Sequence, residues 1–180
     1  MKKISNFLLI LTLPFVASFP SCDKVEELLT FGFNIKGEFD VPPNIPVNIP
    51  FNLPSVPMDY NAEEMFAQNN TKPDMVKEIK LDYIEMTVLE PIGQDFTFVK
   101  DIEIYLDKDG LGPKLVAWKY DVSDSTGQKL RLDVTPDALD NYLKSDGLKL
   151  KLNVTTDKMT SSTVKVSYDI RSRVTANVFD

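Results

Sequence analysis

Apolar and polar residues alternate with a period of two over long stretches of this chain. The first such stretch begins at Phe31, and its polar positions Asn34, Lys36 and Glu38 fall on the face opposite the apolar ones. Successive side chains of a β-strand point to opposite faces of a sheet, so this alternation predicts a half-buried strand. The apolar positions assigned to its buried face are Phe31, Phe33, Ile35 and Phe39.

The same period recurs further along the chain and predicts several more strands. In residues 76–89 the apolar positions change parity near Tyr83, which predicts a bulge or bend, or a strand buried on both faces. Residues 115–120 are apolar nearly throughout and predict a central strand that carries Trp118, the single tryptophan. The other predicted strands cover residues 96–106, 130–134, 148–154 and 164–178.

Residues 41–57 repeat a four-residue unit that contains asparagine, an apolar residue and proline. Pro46, Pro50 and Pro54 all occupy even positions, and alternate amide groups of a strand point to the same side. One edge therefore loses every second donor, which predicts a protected edge strand that pairs on one side only. A proline-rich ligand for a partner domain is the alternative. The expected shared face holds Ile45, Val47, Ile49, Phe51 and Leu53.

Two short helices are predicted among the strands. The segment 59–69 contains a capping-box pattern that starts at Asn61, followed by two residues suited to cover the core, Met65 and Phe66. A second helix is predicted to start at Thr135, with proline at its first position, and to end at Gly147. Its expected buried stripe is Ala138, Leu139, Tyr142 and Leu143.

About eight strands with short spacing, and no regular alternation of strand with helix, indicate an antiparallel all-β protein. We expect a single antiparallel β-sandwich, immunoglobulin-like or jelly-roll in kind, with one or two short helices. This domain is expected to cover residues 31–180, a length sufficient to bury a core of its own.

The first 21 residues have the layout of a secretory signal peptide. Lys2 and Lys3 precede an apolar stretch over residues 7–17, which is too short to span a bilayer. The sequence Phe-Pro-Ser-Cys that ends at Cys22 resembles the lipobox of bacterial lipoproteins, in the looser form of Bacteroidota. This resemblance implies cleavage before Cys22 and acylation of that residue, with residues 22–30 as a lipidated tether. A free thiol in an exported protein is the alternative.

The run from Ile79 to Trp118, IKLDYIEMTVLEPIGQDFTFVKDIEIYLDKDGLGPKLVAW, extends that likeness. It resembles small β-sandwich lipoproteins of the Bacteroidota cell envelope, and the resemblance of pattern covers most of the chain after Cys22. It implies a lipid-anchored protein of the bacterial cell envelope, at the outer membrane, on either its periplasmic or its surface face. No activity is implied by this resemblance.

Composition excludes several classes of function. The formal net charge is −7 at pH 7, and loss of Lys2 and Lys3 with the signal peptide makes it more negative, which argues against nucleic acid as a partner. There is no histidine, so imidazole metal ligands and Ser-His or Cys-His nucleophiles are excluded. With one cysteine the chain forms no intramolecular disulfide, and the fold must depend on its core.

Few residues suggest chemistry of their own. Asp107 and Asp109 resemble the start of a calcium loop and are weak calcium candidates, supplemented by Asp121 and Asp124 if that loop folds beside them. The Asp-Gly pair at position 109 is also a hairpin signal, and we favour that interpretation. Trp118 and the tyrosines suit stacking on a glycan, although we expect them in the sandwich core.

We therefore expect a lipid-anchored envelope protein that acts as a binding or scaffolding module, without catalysis and without a cofactor. Its expected partners are the membrane, through acyl chains on Cys22, and a protein or glycan ligand that the sequence does not identify. The alternatives are a carboxylate-dependent glycan-processing enzyme or accessory, and an assembly subunit that pairs through a sheet edge.

Overall fold

The computed structural model describes residues 30–176, which form nine β-strands and two short α-helices. Single turns of 3-10 helix lie at Pro73–Met75 and Phe96–Phe98. The helices are α1 (Ala62–Ala67) and α2 (Asp140–Leu143). The strands are β1 (Thr30–Val41), β2 (Phe51–Asn52), β3 (Val56–Pro57), β4 (Val76–Glu90), β5 (Val99–Lys108), β6 (Gly112–Lys119), β7 (Lys129–Val134), β8 (Leu148–Thr156) and β9 (Val164–Ala176).

All nine strands belong to one antiparallel sheet with the order β1-β9-β4-β7-β6-β5-β8-β2, and β3 also pairs with β8. Strand β7 joins the two halves, because residues 129–132 pair with β4 while Asp133 and Val134 pair with β6. The prediction of an antiparallel all-β fold is confirmed. The halves expected as a sandwich are parts of one sheet that curls through β7.

A single hydrophobic cluster lies between the two halves of the sheet. The first half (β1, β9 and β4) and the second half (β6, β5 and β8) both contribute buried side chains to it, and so do both α-helices. Along most of β1, β5 and β9, alternate residues reach this cluster and the residues between them face away from it. Among its largest fully buried members are Phe66, Ile79, Ile84, Ile104, Leu143 and Leu150.

The period-two pattern predicts the buried residues of β1 and the irregularity of β4. In β1, residues Phe33, Ile35 and Phe39 are buried as expected, and Phe31 packs partly buried against the core. The parity change in β4 corresponds to a register shift against β9 between Leu81 and Tyr83. An extra residue at a bulge moves the following side chains to the opposite face, so the predicted irregularity near Tyr83 is confirmed.

The proline-rich segment 41–57 lies at the edge of the sheet along β8, as predicted, but it does not form one continuous strand. Asn44 and Asn48 adopt left-handed backbone conformations, with φ of 61° and 58°. Each such residue turns the chain and interrupts the alternation, so the side chains on either side of it do not share one face. The expected single apolar face is therefore wrong, and Ile49 is 57% exposed.

Main-chain hydrogen bonds nevertheless tie this segment to β8 at intervals. The amide of Asn48 donates to the carbonyl of Thr156 (2.6 Å), and the amide of Leu53 donates to that of Leu152 (2.9 Å). These donors have different parity, so the pairing edge does not follow the simple even-and-odd rule expected from the prolines. Two short strands, β2 and β3, form where the pairing is regular.

The two predicted helices have different outcomes. Helix α1 is confirmed, with the side chain of Asn61 accepting a hydrogen bond from the amide of Glu64 (3.0 Å) and with Phe66 buried. The second helix starts later than predicted, since the Thr135 hydroxyl accepts from the amide of Asp137 in a turn and α2 begins at Asp140. Ala138 is consequently exposed and does not join the expected buried stripe.

Residues 1–29 and 177–180 lie outside the described residues. The predicted signal peptide, Cys22, most of the tether and Val178 therefore stay predictions. Strand β1 begins at Thr30, the last residue assigned to the tether, and its first pair is with Thr175 of β9. None of the described helices has the length and apolar character needed to cross a membrane.

Candidate functional site

The calcium candidates lie at a hairpin between β5 and β6. Gly110 has a φ of 86°, and the amide of Leu111 donates to the carbonyl of Lys108 (3.0 Å), which closes the turn. The hairpin prediction is confirmed. The carboxylate of Asp107 pairs with Lys151 (2.8 Å between Oδ2 and Nζ), and that of Asp109 pairs with Lys149 (3.1 Å).

The additional calcium candidates are at the other end of β6. The main-chain amide of Asp121 donates to the Asp101 carboxylate (3.0 Å), and the carboxylate of Asp124 pairs with Lys158. The 120–128 loop therefore does not fold beside the 109–111 turn. Within residues 30–176, no three acidic, cysteine or histidine residues gather in an arrangement that would hold a metal ion.

Trp118 faces outward, contrary to the expectation that the sandwich core would bury it. It pairs with Glu103 of β5 on one side and with Asp133 of β7 on the other, and its side chain is partly exposed. The reason is a bulge in β6, where Val116 and Ala117 are both buried. In an uninterrupted apolar run, the sequence pattern does not show which residues reach the core.

Glu103 forms the centre of a cluster on this outer face. The hydroxyl of Tyr105 donates to Oε2 of Glu103 (2.8 Å), and the hydroxyl of Tyr120 donates to Oε1 (2.7 Å). Tyr120 directly follows β6 and is 49% exposed. Asn153 of β8 lies opposite Glu103 on the side away from Trp118. We call these five residues, Glu103, Tyr105, Trp118, Tyr120 and Asn153, the Glu103 face.

The hydrogen bonds to Glu103 raise the pKa of both tyrosines. The bond to Glu103, with desolvation and the charge of the same carboxylate, raises the pKa of Tyr105 to about 12. The same bond is the main cause that raises the pKa of Tyr120 above its usual value. Both hydroxyls therefore act as donors to Glu103, and their oxygen lone pairs stay available to accept.

Ion pairs and an amide pair surround the Glu103 face. Lys119 pairs with Asp133 (3.2 Å) at one side, and the Lys151–Asp107 pair lies at another. The Asn153 amide donates to Oδ1 of Asn52 (3.0 Å). The charges of these two ion pairs are compensated, while the described residues give Glu103 two neutral hydroxyl donors and no salt bridge.

Glu103 is not among the residues that the sequence predicts to carry chemistry, and the tyrosines are predicted to lie in the core, with glycan stacking as the alternative. One signal was available, because Glu103 and Tyr105 share parity on β5 opposite the apolar residues Ile102, Ile104 and Leu106. The contribution of Tyr120 depends on the pairing of β5 with β6 and on the end of β6, which alternation alone does not determine.

A surface groove of about 760 Å³ lies beside α1, between residues 70–75 and 144–146. Three carboxyl groups, of Glu63, Asp74 and Asp146, line it together with two lysines. The carboxylate of Asp146 accepts a hydrogen bond from the amide of Ala62 (2.7 Å), so it holds the first residue of α1. The groove and the Glu103 face are separate, with no lining residue in common.

Comparisons with known proteins assign no family to this chain. No family model matches it, and no curated protein matches it. Among solved structures, it is similar to a chain from Desmodium yellow mottle tymovirus at 9% identity and a TM-score of 0.28, over 99% of this chain and 96% of that one. A TM-score this low supports no inference about fold or function.

Proposed function

We propose that this protein is a lipid-anchored module of the bacterial cell envelope that binds a partner through the Glu103 face, without catalysis. The predicted signal peptide and the resemblance of the sequence at Cys22 to a lipobox support the anchor, and the resemblance to Bacteroidota envelope lipoproteins supports the outer-membrane location. Several acyl chains on one residue give stable membrane attachment, whereas one chain gives only marginal binding.

The fixed geometry of the Glu103 cluster is the observation that carries the binding role. Two tyrosine hydroxyls converge on one carboxylate, so the three side chains are pre-organised before any partner arrives. Pre-organised aromatic and polar groups lose little conformational entropy when they bind, and such groups are concentrated at binding surfaces. The cluster lies on an open sheet face, which suits contact with a large or extended partner.

Substitution of Cys22 tests the anchor. Cys22→Ser is expected to move the protein from the membrane fraction to the soluble fraction, because serine offers no thiol for acylation. Ser21→Ala is the matched control, since it keeps a small residue before the cysteine and should leave the protein in the membrane. Unchanged membrane partitioning of Cys22→Ser would overturn the anchor.

A photo-reactive phenylalanine analogue tests the binding face in cells that produce the protein. At position 120 it is expected to give a discrete cross-linked species, because Tyr120 is half exposed at the centre of the proposed contact. The control position is Tyr83, whose ring lies on the first half of the sheet beneath Arg131 (4.3 Å). Equal or absent cross-linking at both positions contradicts the binding role.

The absence of catalysis has its own test. If the purified protein hydrolyses a polysaccharide and Glu63→Gln or Asp74→Asn abolishes the reaction, the groove is an active site. The carboxylate-dependent glycan-processing alternative would then replace the non-catalytic proposal.

Assembly through a sheet edge is a second candidate, favoured by the position of β1. This strand ends the strand order and pairs with β9 along its whole length, and no described strand pairs with its other edge. A long edge of this kind is a template for pairing with another chain. A concentration-dependent dimer of the purified protein, measured by sedimentation, would support the candidate. A monomer at all concentrations would exclude self-association.

A further inference from the structure

We propose that the ligand of the Glu103 face is an uncharged oligosaccharide. This inference rests on the proposed binding role of that face and specifies the chemical class of its partner. It follows from how the rings lie, from which hydrogen-bonding groups remain, and from the charge around them.

Both tyrosines of the Glu103 face direct their hydroxyl groups to the Glu103 carboxylate. Glu103 and Tyr105 are two residues apart on β5, and side chains at that spacing leave the strand about 6.7 Å apart on the same face. A ring that stood away from the sheet would carry its hydroxyl into solvent, yet the Tyr105 hydroxyl contacts the Glu103 carboxylate. Tyr105 therefore leans along its strand toward Glu103, and its side chain is half-buried on this face. Tyr120 reaches the same carboxylate from the end of the neighbouring strand.

Trp118 extends this aromatic surface on the β6 side of Glu103, two residues before Tyr120. Its backbone is paired directly with that of Glu103, and its side chain is partly exposed on the same face. Three aromatic side chains therefore border one carboxylate. Flat aromatic surface with a few fixed polar groups matches a sugar ring, which has apolar C–H faces and hydroxyl groups at its rim.

The remaining hydrogen-bonding capacity also fits hydroxyl groups. Each oxygen of Glu103 accepts from one tyrosine and keeps a further lone pair, and each tyrosine oxygen keeps its own. These are acceptor positions that sugar hydroxyls fill. Asn153 adds an amide at the edge of the face. A purely apolar partner would bury the carboxylate without replacing its contacts with water, which is costly.

The negative charge at and around Glu103 favours an uncharged ligand over an acidic one. The Glu103 carboxylate has no lysine or arginine partner among the described residues, and Asp101 is close by on the same strand, where it accepts from the amide of Asp121. Lys119 and Lys151, on the two strands that flank β5, are already paired with aspartates. Acidic polysaccharides and nucleic acids would therefore meet uncompensated negative charge. A cationic ligand is the competing class, because carboxylates with aromatic rings also attract ammonium groups.

The single tryptophan provides a direct readout, since any change in its emission reports on this face. The purified full chain is titrated with four neutral hexasaccharides, of cellulose, starch, xylan and mannan type, with an acidic oligogalacturonate, and with choline. Calorimetry accompanies the fluorescence measurement. We expect at least one neutral hexasaccharide to bind with a shift in tryptophan emission, and we expect the acidic oligosaccharide and choline to give none.

Variants establish that binding uses the proposed groups. Tyr120→Ala removes the most exposed ring and is expected to weaken binding about tenfold or more. Tyr120→Phe keeps the ring and is expected to retain most of the affinity. Glu103→Gln is expected to weaken binding, because it removes the acceptor charge without changing shape. The control is Tyr83→Ala, which removes an outward tyrosine from the other half of the sheet and should leave affinity unchanged.

Several outcomes overturn the inference. They are the absence of binding by every neutral hexasaccharide at millimolar concentration, binding that Tyr120→Ala leaves unchanged, and binding of choline or the acidic oligosaccharide alone. Cross-linking at position 120 in cells separates this failure from failure of the binding role. If cross-linking persists there while the sugars fail, only the ligand class is wrong.

Discussion

The hydroxyl of Tyr60 donates a hydrogen bond to the main-chain carbonyl of Leu143, which lies 83 positions further along the chain. Tyr60 is buried just before α1 and stacks on Phe33 of β1, with 5.8 Å between the ring centroids. Leu143 is the last residue of α2 and is fully buried. This contact therefore joins the two helical segments and β1, which are far apart in sequence.

Tyr60→Phe should lower the free energy of unfolding by about 1–2 kcal/mol, because the carbonyl of Leu143 stays buried and loses its donor while the ring remains. Urea denaturation of the purified protein measures the change. Tyr142→Phe is the matched control, since its hydroxyl donates to the carbonyl of Gly112 (3.1 Å) from a partly buried position. A smaller loss is expected there, and equal losses would contradict the special role of Tyr60.

The same tyrosine predicts a loss of stability at alkaline pH. Burial, with a contribution from the Asp146 charge, raises the pKa of Tyr60 above its usual value. The unfolded chain releases this proton near pH 10 while the folded chain retains it. Its stabilising contribution is therefore complete below about pH 10 and is lost progressively as pH rises further.

Unfolding measured at several pH values above neutrality checks this dependence. The wild-type protein should lose stability above about pH 10, with a contribution from Tyr60 of up to about 1.4 kcal/mol per pH unit. Tyr60→Phe should show a shallower decline, since phenylalanine does not titrate. Identical slopes for the two proteins would mean that Tyr60 does not keep its proton in the folded state.

Two glycines of β1 give a contrasting pair of substitutions. A Cβ at Gly37 would lie 2.5 Å from Cζ of Tyr168, whose ring is buried and stacks on Phe39. A Cβ at Gly32 would lie equally close to Nη2 of Arg171, which is the flexible end of a long side chain. Gly37→Ala should therefore destabilise by about 1–3 kcal/mol, as overpacking of a core does.

Gly32→Ala is expected to cost less, because the end of an arginine side chain moves more easily than a buried ring, at the expense of its hydrogen bond to Asn34 (2.6 Å). Thermal denaturation of both variants, side by side, tests the difference. A double variant Gly37→Ala with Tyr168→Phe removes the atom that lies nearest the new methyl group, and it should recover part of the loss. Equal effects of Gly32→Ala and Gly37→Ala would show that the buried ring gives way as easily as the arginine.

Local sequence patterns predict the parts of the fold in which strand alternation or turn preference alone decides the position of a residue. Alternation identifies the buried residues of β1, and the parity change identifies the bulge near Tyr83, because both follow from the two-residue period of a strand. The hairpin after Asp109 follows from the preference of Asp-Gly for tight turns. These are local effects, and tertiary packing agrees with them.

Prediction fails where tertiary contacts decide between local alternatives. Residues 115–118 are all apolar, so their pattern does not show that a bulge buries Val116 and Ala117 and turns Trp118 outward. Thr135 suits a helix cap and a turn equally, and the chain adopts the turn. The Glu103 cluster requires the exact register of β5 against β6, which the bulge in β6 shifts and which the Asp-Gly turn alone does not specify.

Substitutions at Asn48 test what positions the proline-rich segment 41–57 along β8 at the edge of the sheet. Asn48 has a φ of 58°, and its amide donates to the carbonyl of Thr156 on β8. Asparagine tolerates this left-handed conformation better than most residues, glycine adopts it without strain, and alanine does not. We expect Asn48→Gly to change the free energy of unfolding by only a few tenths of a kcal/mol, and Asn48→Ala to lower it by about 1 kcal/mol.

The alanine variant should also speed hydrogen exchange of the Leu53 amide on the same edge, because the left-handed turn at Asn48 directs the residues between the prolines along β8. If alanine and glycine behave alike in both measurements, the left-handed turn at Asn48 is not what positions this segment along β8.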